Sequence, residues 1–153
     1  VTNGKARYLG LATGKSEADQ ILQCYCNFFD VVSITNNLND TLIPETCQSG
    51  IGLIGREPFG GHDGLRRMSK QLETSEKSFL NLDHAATPLP ELAGLALGWA
   101  VHHSRVDSVI ASFFEAAHVK QNLQILAQPD YRFELCKALG RAFSSPSSHV
   151  RLP

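Results

Sequence analysis

Apolar residues along this chain fall into short, nearly unbroken runs. Longer stretches separate them, in which apolar positions recur every three or four residues. Four runs read as strands: "ARYLGLAT" at 6–13, "FDVVSIT" at 29–35, "IGLIGREP" at 51–58 and "VDSVIA" at 106–111. Short apolar runs bounded by Gly, Pro or polar clusters suit strands buried in a sheet. Gly14 stops the first, and Pro58, Gly60 and Gly61 stop the third. After the first, Ser16 is placed to cap a helix with Asp19 three residues on, and Ala18, Ile21, Leu22 and Tyr25 lie along one side. The polar loop "NNLNDT" and a short helix at 44–48 follow the second strand. Residues 62–86 are polar, with a helix expected at 63–72. Thr87-Pro88 opens the longest helix, running to about His103 with the stripe Leu92, Leu95, Ala96, Trp99 and Ala100. Trp99 reads as core packing. Helices at 115–128 and 131–143 close the pattern, and "SSPSSHVRLP" reads as a disordered tail. One domain is therefore expected over 1–143, with the tail at 144–153.

Strands alternate with helices, which predicts an α/β fold of parallel strands joined by right-handed crossovers. In such sheets ligands meet the carboxyl ends of the strands. Those ends are Ala12-Thr13-Gly14, Thr35-Asn36-Asn37, Arg56-Glu57-Pro58 and Ser112-Phe113-Phe114. The last leads into "EAAHVKQN", a strand feeding a helix start, which is a common place to hold a phosphate.

Composition narrows the functional classes. Of 153 residues, 42% are hydrophobic and 19% charged, and the net charge is −1. No Lys/Arg stripe offers a nucleic-acid surface, and no apolar run is long enough to span a bilayer. Cys24, Cys26, Cys47 and Cys136 lack zinc-ligand spacing, so no metal is expected and the thiols read as reduced, in a cytoplasmic protein. The chain opens on Val1 without a signal-peptide core, which suggests a processed product or a piece of a longer protein. Arg56 and Glu57 read either as an ion pair or as ligand contacts. His102 and His103 read as helix-end capping. His62-Asp63 lies in a Gly-rich loop, a poor place for a fixed base.

Several stretches resemble the C-terminal half of the aldo-keto reductase family. "GKARYLGLAT" is similar to that family's fifth strand. "FDVVSITNNLN" resembles the sixth, with Asn37 at a family Asn, and "GIGLIGREPFGG" the seventh. "LAGLALGWAVHHSRVDSVIAS" resembles the next helix and the eighth strand, and "HVKQNL" the closing Gln/Arg-x-x-Glu-Asn. The resemblance runs from about Lys5 to about Leu126. It implies four parallel βα units, half of a (β/α)8 TIM-type barrel, in an NAD(P)-dependent oxidoreductase that moves hydride between a nicotinamide and a carbonyl or alcohol. The family's catalytic Asp, Tyr, Lys and His come from its first four strands, so no catalytic residue is expected here. Tyr8, Tyr25 and Tyr131 do not lie at strand carboxyl ends, and the isolated chain is expected to be inactive.

The resemblance also implies cofactor contacts. The carboxamide-holding Ser-Asn falls on Ala12 and Thr13, and the sixth-strand Gln on Ser33. The ring that stacks on nicotinamide falls on Arg56, the next Ser on Glu57 and the Leu on Phe59. Around the adenosine the matching positions are Ser112, Phe113, His118, Gln121 and Asn122. Glu115 at the helix start disfavours a 2′-phosphate, so the expectation is weak binding of NAD(H) or NADP(H), with NAD preferred. Phe113 and Phe114 are expected to flank the adenine.

Half a barrel leaves open edges. The strands carrying Val31, Ile34, Leu53 and Val109 are expected to present an inner face without charge. Expected partners are a small-molecule nucleotide and either a missing N-terminal half or a second copy. Two other readings remain: a non-catalytic, barrel-derived ligand-binding or regulatory module, and an independent open four-stranded α/β domain.

Overall fold

The computed structural model describes residues 4–41, 43, 50–74, 89–102, 104–127, 140 and 143. The helices expected at 44–48 and 131–143, the tail, the turn opening at Thr87, and Cys47, Cys136, His103 and Tyr131 lie wholly or largely outside them.

Four strands form one sheet in the order β1-β2-β3-β4: β1 Gly10–Ala12, β2 Val31–Thr35, β3 Gly52–Arg56 and β4 Ser108–Ile110. Every neighbouring pair is parallel, so the chain is α/β as its pattern predicts. Among the described elements, four helices accompany the strands: α1 Lys15–Tyr25, α2 Gly64–Thr74, α3 Leu89–His102 and α4 Ala116–Leu126, with a 3-10 turn Cys26–Phe28 after α1.

The strands are shorter than their apolar runs because aspartates take over the pairing where the strands begin. The Leu9 N–H donates to the Asp30 carboxylate at 2.8 Å, and the Leu53 N–H to the Asp107 carboxylate at 2.7 Å. The carbonyls of the same two residues accept the N–H groups of Asp30 and Asp107, each at 2.9 Å. Residues ahead of Leu9 therefore stay outside the ladder, and Tyr8 is exposed.

Helix α1 corrects one expectation. Its cap is Gly14, in extended backbone, and Ser16 lies inside the first turn with its hydroxyl on Glu17 at 3.0 Å. The Glu17 carboxylate fills the space that a side chain on Gly14 would need. An acid over a helix N-terminus meets free N–H groups and the positive end of the dipole. Glu17 thus places a negative charge in the first turn, and the helix starts without a side-chain cap hydrogen bond.

The core lies on one side of the sheet. Ala18 and Leu22 of α1 pack on Val32, Ile34 and Leu53, with Leu11 and Val106 at the margin. Met68 of α2 and Leu92, Leu95, Ala96, Trp99 and Ala100 of α3 form a second cluster that reaches Val109 and also takes in Leu38. The stripe read from the α3 sequence is buried, as is Trp99. Burial runs almost round the helix, taking in Gly94, Leu97 and Gly98 too. The reason is close packing on several sides. A Cβ on Gly94 would collide with Ile125 of α4, and one on Gly140 with the Trp99 indole.

Ile34, Leu53 and Val109 therefore point toward the helices. The other face carries Val31, Ser33, Thr35, Ile54, Arg56 and Ile110, all exposed or half-buried. This corrects the expectation for that set: Ile34, Leu53 and Val109 face the helices, and the face turned away from them carries the charge of Arg56. Among the described residues β1 and β4 each pair on one side only.

Candidate functional site at the carboxyl edge of the sheet

Because all four strands run parallel, their carboxyl ends share one edge. Thr35 and Arg56 are register partners there, at the last position of each strand. The Asn36 N–H continues the ladder to the Arg56 carbonyl at 2.9 Å. Arg56 leans back across β2, and its Nη2 donates to the Thr13 carbonyl at 3.0 Å. Thr13 is itself tied to β2, its N–H on the Ser33 carbonyl at 3.3 Å. Thr13, Ser33 and Arg56 are thus brought together, and the guanidinium ties the end of β3 to the residue after β1 across the intervening β2. Its Nε is buried with no hydrogen-bond partner.

Phe59 and Phe113 also meet, edge to face, with ring centroids 5.7 Å apart. They join the turn after β3 to the turn after β4. Phe114 stands fully in solvent, so the two adjacent phenylalanines occupy opposite environments. Ser112 is exposed. Helix α4 starts at a Glu115 cap without a side-chain hydrogen bond, and the His118 imidazole lies 3.9 Å from the Glu115 carboxylate on an exposed face. Gln121 is half-buried and Asn122 buried. The Asn122 amide donates to the His118 carbonyl at 2.8 Å, leaving its oxygen buried and unpartnered. Nine of the eleven positions matched to cofactor contacts, all but Ala12 and Glu57, therefore form three groups: Arg56 with Thr13 and Ser33, Phe59 with Phe113, and Ser112, His118, Gln121 and Asn122 around the start of α4. Among the described residues no hydrogen bond or ring contact joins one group to another.

At the same edge stand Lys15 and Asp40, which the sequence pattern leaves unmarked, and Asn36 and Asn37, which it places at the end of the second strand. Lys15, directly after Gly14, donates to both the carbonyl (2.7 Å) and the carboxylate (2.8 Å) of Asp40. Burial pushes the Lys15 pKa below the usual lysine value, while the hydrogen bond and charge of Asp40 oppose that shift. Asp40 closes a tight turn with Asn37: their N–H groups and carbonyls exchange bonds, and the Asn39 N–H donates to the Asn37 side chain at 3.0 Å. This turn packs Leu38 into the core. Asn36 is 1% exposed, and neither polar atom of its side chain has a partner. The position of Lys15 beside a strand end was the one available signal. The fold alone joins it to a residue 25 positions away.

The segment after β3 is strained. Glu57 and Asp63 adopt left-handed backbone (φ 57° and 58°), as do Gly60 and Gly61. Outside glycine that conformation costs roughly 1–2 kcal/mol per residue. Arg67 of α2 holds the segment, donating to the carbonyls of Gly60 (2.7 Å) and His62 (2.9 Å). Glu57 does not pair with Arg56, whose guanidinium lies on Thr13. His62 and Asp63 do approach, at 3.4 Å, but the imidazole is 98% exposed, which suits a surface contact rather than a fixed base.

Among the described residues there is no cluster of metal-ligating side chains, and no helix is long and apolar enough to cross a membrane. Cys24 and Cys26 are exposed free thiols. The fold and its site define a parallel α/β protein with its polar groups gathered at one sheet edge. No protein-family model matches the chain, and no curated protein sequence matches it.

Proposed function

We propose that the chain is half of a (β/α)8 barrel, the C-terminal four units of an aldo-keto-reductase-type oxidoreductase. One observation carries this reading. Among the described residues the strand order β1-β2-β3-β4 does not reverse, and the core clusters lie on a single face. A doubly wound sheet reverses its order and covers both faces with helices. A barrel winds in one sense and keeps its helices outside. The face of Val31, Ser33, Ile54, Arg56 and Ile110, which none of the described helices covers, is then a barrel interior awaiting the other half, in a preceding segment or in a second copy.

The fit to a nicotinamide dinucleotide differs between its two ends. At the nicotinamide end Arg56 spends its guanidinium on the Thr13 carbonyl and crowds the place where the carboxamide would lie. A fixed positive charge there also disfavours the oxidised, cationic ring. At the adenosine end the chemistry is better. Asn122 keeps a buried acceptor without a donor, Phe113 offers an aromatic surface, and the α4 N-terminus lacks a side-chain cap. The reading is weak binding of NAD(H), with the adenosine half dominant and NADPH disfavoured by Glu115. The carbonyl-reducing tetrad belongs to the other half, so this chain alone turns nothing over.

A second reading, a non-catalytic binding or regulatory module, draws support from Arg56 itself. An enzyme gains nothing from an arginine tied across the nicotinamide seat, whereas a structural lace suits a binding face.

Fluorescence titration of NADH and NADPH tests the first reading, on wild type and Asn122→Ala. The expected result is NADH tighter than NADPH, with Asn122→Ala weakening NADH about tenfold through the lost hydrogen bond. Tighter NADPH binding would reverse the assignment of Glu115. A folded chain that binds neither nucleotide leaves the module as the function. Light scattering over a range of concentrations tests the half-barrel directly: self-association, or capture by the matching N-terminal half, is expected. A monomer at all concentrations that ignores that half contradicts it.

A further inference from the structure

A cleft of about 680 Å³ opens beside the carboxyl edge, between the turn after β2 and helix α2. Its size lies in the usual range for small-molecule sites. Of the positions matched to the cofactor it includes only Glu57, and the charges that line it stand whether or not the chain is half a barrel.

The charges that line this cleft are sorted by element. From the strand side come Thr35, Asn37, Asp40 and Glu57, and from α2 come Arg67 and Lys70. Among the described residues no hydrocarbon side chain lines it. Asp40 is already neutralised by Lys15 at 2.8 Å. Glu57 makes no ion pair among the described residues, although the arginine of the opposite wall faces the same space. Arg67 gives two N–H groups to loop carbonyls and keeps three of its five donors. Both walls are held in place. The Asn37–Asp40 turn is pinned by Lys15, and the turn carrying Glu57 is closed by the Gly60 N–H on the Glu57 carbonyl at 2.8 Å and by Arg67. Glu57 is kept in left-handed backbone, so its carboxylate stands where an unstrained strand end would not put it.

An acid and a base that share a cleft without touching are complementary to a ligand carrying both charges. A lone anion meets the Glu57 carboxylate, and a lone cation meets the Arg67 guanidinium. A neutral polyol hydrogen-bonds to Glu57 and Arg67 but brings no opposite charge to either, whereas an ammonium and a carboxylate bring one to each. We propose that this cleft binds a small zwitterion, an ammonium and a carboxylate on one short skeleton as in a free amino acid, with the ammonium on Glu57 and the carboxylate on Arg67.

Calorimetric titration of the full chain tests this with L-serine as probe. N-acetyl-L-serine lacks the ammonium, ethanolamine lacks the carboxylate, and glucose stands for a polyol. The expected result is saturable serine binding below about 10 mM, with the three comparators at least about tenfold weaker. Glu57→Gln keeps the side-chain shape, and Glu57→Gly suits the left-handed backbone; circular dichroism checks that both fold. Both are expected to lose at least about tenfold in serine affinity. Serine failing to bind the folded chain overturns the proposal. So does a comparator binding as well as serine, or a folded Glu57 variant that retains full affinity.

Discussion

Ile34 and Ile54 stand on adjacent strands, one register position apart, and meet opposite surroundings. Ile34 is 0% exposed beneath α1, in a cluster with Ala18, Leu22, Val32 and Leu53. Ile54 is half-buried on the face that belongs to neither core cluster. The same side chain on the same sheet thus carries two kinds of information. Under the helices it holds this chain together. On the open face it contributes little until something covers it. Parallel sheets are ordinarily buried on both sides, because the crossovers that link parallel strands bring helices with them. Among the described residues this sheet is covered on one face and pairs at neither outer edge, an arrangement that calls for a complement.

The largest effect should separate those two isoleucines. Ile34→Ala opens a cavity in a closed cluster and is expected to cost about 2–5 kcal/mol. Ile54→Ala in dilute chain should cost under about 1 kcal/mol, because part of its surface already meets water. Urea titrations of both variants at low protein concentration give the comparison. Equal losses would mean that the open face is covered in solution. A loss for Ile54→Ala that grows with protein concentration would say that a second copy does the covering.

Glycines sharpen the same contrast at smaller scale. A Cβ on Gly55, on the covered face, would lie 3.1 Å from Val106 and 3.3 Å from Asn36. A Cβ on Gly52, on the open face, meets nothing closer than 3.5 Å. Gly55→Ala is expected to cost about 1–3 kcal/mol through overpacking. Gly52→Ala should be neutral or slightly stabilising, within about 1 kcal/mol, because alanine narrows the unfolded ensemble. Thermal melts of the pair decide this; similar losses would contradict the packing difference between the faces.

The smallest effect concerns the rim, where both faces end. Asp40→Asn leaves the Lys15 ammonium half-buried without its carboxylate and should cost about 1 kcal/mol at neutral pH. The pH dependence has a definite sign. Below its folded pKa Lys15 is charged in both states, and the burial cost is fully felt. As pH rises toward the usual lysine range, the folded chain gives up this proton first. The unfolded chain then holds more protons, so this contribution makes stability rise with pH. Replacing Lys15 with Met should remove that slope from denaturation curves across the alkaline range. An unchanged slope would mean that Lys15 is no more buried than its neighbours.

The sequence by itself determined where the strands have their centres and that helices intervene. Short apolar runs have no other stable use in a chain of this composition, and parallel pairing follows from the helices between them. It also marked Trp99 and its stripe as core, since a 3.6-residue period survives any choice of partner. It placed the ends of the strands poorly, because Asp30 and Asp107 satisfy neighbouring N–H groups through carboxylates, and periodicity carries no sign of that. Only the tertiary structure decided which face of each strand turns inward. Alternation names two faces without choosing between them, and the choice rests on where α1, α2 and α3 pack. The rim was likewise beyond the sequence. Arg56 reaches Thr13 across 43 positions and Lys15 reaches Asp40 across 25, and such pairs exist only because parallel crossovers return every strand's carboxyl end to one edge.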